Sequence, residues 1–394
     1  MTAKGYLDYT LFKNLKIINS YNKSTDYEVL VKKHFSMFFF KNKTASNRFF
    51  ITSSARSSLN IIFKTLALKQ NSEVLVLGHT CSEVPNVLII NKLRPVYCDI
   101  SLESLCFEKN DLLKKINNKT KAVIIQHHLG VCNLDEELID LFKKNKILII
   151  EDCALALGSS YNKTKAGTIG DFSVFSFGKS KTFNSYIGGL ILVNNCDKLS
   201  LFQNEVESLN ELSYFKYFTF KMFFLIECIV YNSIFFYVLF PLMIFLKIFL
   251  KIFKYYYHIS PAKLGLQTQK FDFKLPNFFI FLIYNYSKVF EDCVHNKNKK
   301  LLNFIKIINK HNFDNFVPKV YQKNEYYICT NRLLILKKNG YKNLLIKLKF
   351  NKFYSTKYNF YSNPVDGNII ESDYKKGSCP NSEYLCKNMI QIPI

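Results

Sequence analysis

The chain has 394 residues, enough for two domains or one large domain with an appendage, and 48% of them are hydrophobic, so a packed core has ample material. The net charge of +24 would suit nucleic acid, but among 54 basic residues the arginines are only Arg48, Arg56, Arg94 and Arg332. Proteins that read bases favour arginine, so this charge reflects lysine-rich composition and no nucleic-acid partner is expected.

The start, "MTAKGYLDYTLFKN", is too polar for a secretory leader. Eleven cysteines are scattered without a C-x-x-C pair or a Cys/His cluster at metal spacing. They read as reduced thiols in a cytoplasmic protein, with no metal site.

In chain order, "SSARSSLNIIFKTLAL" (53–68) places hydroxyls and Arg56 where an apolar-periodic helix begins. From about residue 70, "EVLVLG" (73–78), "RPVYCDI" (94–100), "KAVIIQHH" (121–128) and "KILIIEDC" (146–153) are short, β-branched apolar runs. Helix-like segments separate them, for example "NLDEELIDLFKKN" (133–145). Continuous apolar strands are buried on both faces, and strand–helix–strand repetition predicts a mostly parallel α/β sheet with helices on both sides. Such sheets bind ligands at the carboxyl ends of their strands. "FSVFSF" (172–177) and "GGLILVNN" (188–195) are two further strands bracketing "GKSKTFNSYI", which contains Lys179 and Lys181.

Composition then shifts. Residues 214–257 are strongly apolar and aromatic, and Cys228 to Leu246 carries no charge. That run is long enough to be considered as a membrane span. Lys247, Lys251 and Lys254 then recur at i, i+4, i+7, a basic stripe suited to lipid phosphates. Membrane-surface contact through 217–257 is therefore expected, by an interfacial or re-entrant segment, with burial at a subunit contact as the alternative. Residues 275–311 read as a long helix and a mixed C-terminal part follows. The implied domains are a large α/β domain (1–200), an apolar insertion (201–260) and a smaller α+β C-terminal domain (261–394).

Asp152, at the end of a buried strand, and Lys181, just past another, suit a pyridoxal phosphate site. That cofactor needs a lysine for its aldehyde, a carboxylate for its pyridinium nitrogen, and hydroxyls and N–H groups at a helix N-terminus for its phosphate. Taken singly, Asp152 could be a helix N-cap and Lys181 a solvated loop lysine.

Residues 50–195 resemble the DegT/DnrJ/StrS sugar aminotransferases, pyridoxal phosphate enzymes of fold type I. The most specific stretch is "IIEDCALALGSSYNKTKAGTIGDFSVFSFGKSKTFNSYIGG" (149–189), in which Lys181 follows Ser176 by five residues and precedes Gly188 by seven. Lys179 fits neither spacing and is expected to be a solvated neighbour. The resemblance implies Lys181 as Schiff-base lysine and proton carrier, Asp152 as pyridinium partner and Ser176 as phosphate ligand. It aligns Ala55, Arg56 and Ser57 with the phosphate turn, and Cys81 with the residue stacked on the ring. "RPVYCDI" and "HHL" match landmarks that the resemblance makes structural. The chain departs from the family pattern at Leu155 (usually Gln or His), at Ala55 and Arg56 (usually Gly before Thr or Ser), and at Asp272, where an Asn reaches the partner subunit's phosphate.

The resemblance further implies a homodimer that moves an amino group from an amino acid, often glutamate, to a nucleotide-linked keto sugar for surface polysaccharide or glycan assembly. A cytoplasmic location at the inner face of the membrane would suit that role. Two alternatives stay open: a dehydratase, which in this family typically has His in place of the lysine, and a non-catalytic, membrane-attached partner of glycan enzymes.

Overall fold

A computed structural model describes residues 18–133, 135–179, 181–232, 238–239, 241–246, 272–340, 343 and 373–393. Helix α1 (Tyr27–Phe40) precedes strand β1 (Phe49–Thr52) and helix α2 (Ala55–Leu66). Next come β2 (Glu73–Leu77), α3 (Glu83–Ile90), β3 (Arg94–Cys98), α4 (Lys109–Lys115), β4 (Thr120–Gln126), α5 (Glu136–Lys144) and β5 (Leu148–Asp152). A short hairpin, β6 (Ser160–Tyr161) and β7 (Thr164–Lys165), leads to β8 (Phe172–Ser176) and β9 (Gly189–Val193). Helices α6 (Leu199–Glu207), α7 (Tyr214–Asn232), α8 (Asn277–Ser287) and α9 (Phe290–Lys310) follow. The last elements are β10 (Tyr326–Tyr327), β11 (Arg332–Leu336), α10 (Pro380–Asn388) and β12 (Met389–Pro393).

The protein has the expected α/β fold. Its main sheet runs β1-β9-β8-β5-β4-β2-β3, in which β8, β5, β4, β2 and β3 are parallel neighbours and β9 is the reversed strand. Side chains alternate strictly between two apolar layers. Leu75, Val123, Ile149, Phe175 and Leu190 enter one layer, whereas Val74, Ile124, Ile150, Val174 and Ile191 enter the other. Helices α2, α3 and α6 cover the second layer through Ile62, Val87 and Phe202. Helices α1, α5, α8 and α9 cover the first through Phe35, Phe142, Ile283 and Ile305. Both faces are thus dry, which is why the strands lack a polar alternation.

The carboxyl ends of β2 and β3 receive the C-terminal segment. Asp99 accepts hydrogen bonds from Asn381 N (2.9 Å), Ser382 N (2.8 Å) and Ser382 Oγ (2.8 Å), capping α10 from outside. This explains the structural part of "RPVYCDI". The same strand β12 that follows α10 pairs antiparallel with β11. "HHL" is structural in a similar sense. His127 Nδ1 accepts from Asn133 N (2.9 Å), so its Nε2 carries the proton and donates to Glu151 (2.7 Å).

Helix α7 lays Phe220, Phe224, Cys228 and Val230 into the first layer, while Tyr214, Phe215, Phe218 and Ile229 face outward. No helix among the described residues is long and apolar enough to cross a membrane. The basic stripe at Lys247, Lys251 and Lys254 lies outside the described residues.

Gly189 decides how the sheet meets the site. A Cβ there would lie 2.4 Å from Ser54 C and 2.7 Å from Ala55 N, backbone atoms that cannot yield without moving the start of α2. Gly189→Ala is expected to destabilise the fold by about 3 kcal/mol through overpacking, read as a lowered thermal midpoint.

Candidate active site

Strands β1, β8, β5, β4, β2 and β3 all end at one edge of the sheet, and the polar residues singled out in the sequence follow those ends. Chain reversal after β1 is set by Ser54, which caps α2 by accepting from Ser57 N (3.2 Å) while its backbone is extended. An isolated bridge joins Ser54 to Gly188, so the start of α2 and the end of the lysine loop are adjacent.

The lysine loop closes on itself at its base. Phe177 N donates to Gly188 O (2.9 Å) and Ser185 N to Phe177 O (3.0 Å). Within it, Lys181 N donates to Gly178 O (3.0 Å) in a tight turn. Distant parts of the chain then hold the loop. Asn331 Nδ2 donates to Lys181 O (2.9 Å), Lys297 Nζ donates to Thr182 O, and Thr182 Oγ1 donates to Leu155 O (3.1 Å). The last contact ties the loop directly to the turn that follows Asp152.

Lys181, Asp152 and Cys81 share one electrostatic neighbourhood. Burial pushes the Asp152 carboxyl above its usual range, opposed by the Ala154 N–H (3.0 Å) and by the positive charge of Lys181. Burial likewise raises the Cys81 thiol, and Lys181 again opposes it. Asp152 and Lys181 make no direct ion pair. A pyridoxal ring carries its nitrogen and its aldehyde on opposite sides, so partners for both must share a cavity without bonding each other. Lys181 and Asp152 act on each other electrostatically without an ion pair, and a buried carboxylate held above its usual range is stabilised by a protonated ring nitrogen.

The phosphate turn also fits. Ser57 Oγ is fully buried and has no hydrogen-bond partner among the described residues, on the first turn of a helix whose leading N–H groups lack intrahelical acceptors. Ala55 is the first residue of that helix, and Ser176 Oγ stands 3.5 Å from Gly178 N at the end of β8. A buried hydroxyl at a helix N-terminus is suited to an anion with several acceptor oxygens.

Three charged residues have partners that the sequence did not reveal. The Arg56 guanidinium forms an ion pair with Glu83 on α3. Asp272 is engaged by Asn60 Nδ2 and lies 3.7 Å from Lys64 Nζ, so its charge is balanced on the flank of α2. Lys179 is no solvated neighbour. Its Nζ lies 2.7 Å from Glu227 Oε1 on α7 and 4.1 Å from the centre of the Tyr186 ring.

Sequence reasoning missed the roles of Asn331, Lys297 and Glu227 in holding the loop. Each lies well beyond it in the chain, with no local pattern to mark it. Glu151 was also passed over: its carboxylate accepts from Gly167 N, Ile169 N and Gly170 N as well as His127. His127, Glu151 and Cys153 stand within 4.8 Å of one another, but the histidine and carboxylate already have these protein partners. They form a structural knot beneath Asp152.

The profile of the DegT/DnrJ/EryC1/StrS aminotransferase family matches residues 39–204. GDP-perosamine synthase of Vibrio cholerae is 37% identical over 144 residues, 36% of this chain and 39% of that protein. An L-glutamine:2-deoxy-scyllo-inosose aminotransferase of Streptomyces lividus is 29% identical over 146 residues, covering 36% and 34%. The chain spans about two fifths of the length of these curated relatives. Fold likeness reaches further: a DegT DnrJ EryC1 StrS aminotransferase from Brucella abortus superposes with a TM-score of 0.67 at 14% identity, over 98% of this chain and 89% of that one. The match over residues 39–204 takes in both the Asp152 turn and the lysine loop, so the part of the chain that carries the candidate site is similar to the DegT/DnrJ/EryC1/StrS aminotransferase family.

Proposed function

We propose that this chain is a pyridoxal phosphate-dependent aminotransferase that transfers an amino group from an amino acid to a nucleotide-linked keto sugar. The observation that carries the reading is the juxtaposition of Lys181 and Asp152 on neighbouring strand ends, beside an unpartnered Ser57 hydroxyl at the start of α2. The relatives whose names carry a nucleotide-linked amino sugar support the substrate class. Glutamate is the proposed donor, the glycan pathway the proposed context, and a homodimer the proposed assembly.

Bound there, the cofactor supplies an aldehyde for attachment to an amine and an electron sink for the charge left when a proton leaves carbon. Asp152 holds the ring nitrogen protonated, and its burial keeps water from competing for that proton. Ser57, Ser176 and the leading N–H groups of α2, from Ala55 onward, hold the phosphate. Arg56 stands in the same turn, its charge shared with Glu83. Cys81 flanks the ring where the family usually has an aromatic side chain. Lys181 Nζ would hold the cofactor by its aldehyde and, once freed, would move the proton at the donor's Cα.

A second reading, a non-catalytic relative attached to glycan enzymes, draws on the engagement of Arg56 by Glu83 and on Leu155 near the ring. The two readings part on cofactor binding. Wild-type protein incubated with pyridoxal phosphate is expected to show a visible absorbance band, and borohydride is expected to fix the cofactor to Lys181. Lys181→Ala should retain the fold and lose the fixed label; an equal label in that variant would falsify the aminotransferase reading. Ser57→Ala should weaken cofactor affinity about tenfold, as expected for one hydrogen bond to a charged group, in a fluorescence titration. Glutamate and glutamine are then assayed side by side as donors.

We also place the protein at a membrane surface, at the inner face of the cytoplasmic membrane. The support is the outward face of α7, where Tyr214 is 81% exposed and Phe215, Phe218 and Ile229 are more than half exposed. Aromatic side chains on an exposed face, next to a lysine-rich sequence, suit an anionic lipid interface. The protein is expected to float with vesicles containing phosphatidylglycerol and not with purely zwitterionic ones. A Phe215→Asp/Phe218→Asp variant should stay in the dense fraction with both.

A further inference from the structure

Helix α7 lies beyond the matched residues 39–204, yet it touches the lysine loop at two points. Glu227 is its one acidic residue, and its side chain is only 1% exposed. Placing a carboxylate inside an apolar helix is costly unless a cation meets it, and the cation here is Lys179, two residues before Lys181. Phe224, one turn earlier on α7, packs edge-on against Tyr186 with ring centres 5.2 Å apart.

Tyr186 itself stands at φ +83°, a backbone region that tyrosine rarely adopts. Something must hold it there. Its ring is gripped by Phe224, by a stacked Phe279 at 6.1 Å, and by the Lys179 ammonium at 4.1 Å. Lys179 and Tyr186 therefore bracket Lys181 on the two sides of the loop, and α7 holds both.

We propose that Glu227 is a positioning residue for Lys181, acting through its ion pair with Lys179 and the packing of Tyr186. The proposal deepens the aminotransferase reading and rests on it for the role of Lys181. Its physical content is narrow: the buried carboxylate limits where residues 179–186 can move, and so fixes the direction from which the Lys181 amine enters the site. Neutralising Glu227 leaves Lys179 without its buried counter-charge, and the loop is free to follow that lysine toward water.

The test begins on protein without cofactor. By hydrogen exchange, Glu227→Gln and Lys179→Met are each expected to raise amide exchange across residues 181–188 about tenfold while β4 keeps its wild-type protection. With cofactor bound, both variants should shift the pH midpoint of the visible band, which a purely structural role would leave in place. The exchanged pair Lys179→Glu/Glu227→Lys should restore slow exchange and the wild-type midpoint. Wild-type exchange and midpoint in both single variants overturns the proposal, as does an exchanged pair that folds and restores neither. Should Glu227→Gln fail to fold, Lys179→Met carries the same reading, because that side chain is 38% exposed. Absence of a cofactor band in the wild type would sink the aminotransferase reading alone, since the exchange measurement needs no cofactor.

Discussion

Burial of both faces of the main sheet is the constraint on which the rest depends. With an apolar layer on each side, no strand can present a polar side chain along its length without finding a partner for it. Polar chemistry is therefore confined to the ends of strands. Six strands direct their carboxyl ends to one edge, so Asp152, Ser176, Cys81 and the start of α2 converge there. The exception inside the sheet shows the rule: Glu151, one residue before Asp152, is wholly buried, and its carboxylate takes three backbone N–H groups and a histidine.

That knot has a consequence for Asp152. Glu151 gathers the Gly167–Gly170 turn and His127 around the end of β5, so the strand end cannot shift without breaking several charge-assisted hydrogen bonds. Asp152 is thus set on a rigid element, while Lys181 sits on a loop. The two halves of the site have different mechanical character, and the loop is steadied by long-range contacts from Asn331, Lys297 and α7. A base that must swing between two atoms needs such a loop, provided its limits of travel are set from outside.

Helix α7 has two apolar faces with different tasks. The inner one buries Phe220, Phe224 and Cys228 beside the lysine loop, and the outer one leaves aromatic side chains in solvent. A helix that is apolar all round is ordinarily buried all round. Among the described residues the outer face stays exposed, and contact on that side would bear on the same helix that carries Glu227.

The sequence by itself determined the strands, the parallel sheet and the line of candidate residues at the strand ends. Those features rest on local pattern: continuous apolar runs, helical spacing, and the fixed intervals from Ser176 to Lys181 and on to Gly188. Tertiary structure alone decided the partners. Lys179 read as a solvated lysine because its counter-charge lies 48 residues away on α7, and side-chain pairing at that separation leaves no periodic trace. Arg56 aligned with a phosphate turn, and only the packing of α2 on α3 revealed that Glu83 meets its guanidinium. Asp272 stood out in the sequence only as a departure from the aligned Asn, and its partners Asn60 and Lys64 lie 212 and 208 positions away in the chain. Periodicity is written into neighbouring residues, whereas charge compensation depends on which surfaces the fold brings together.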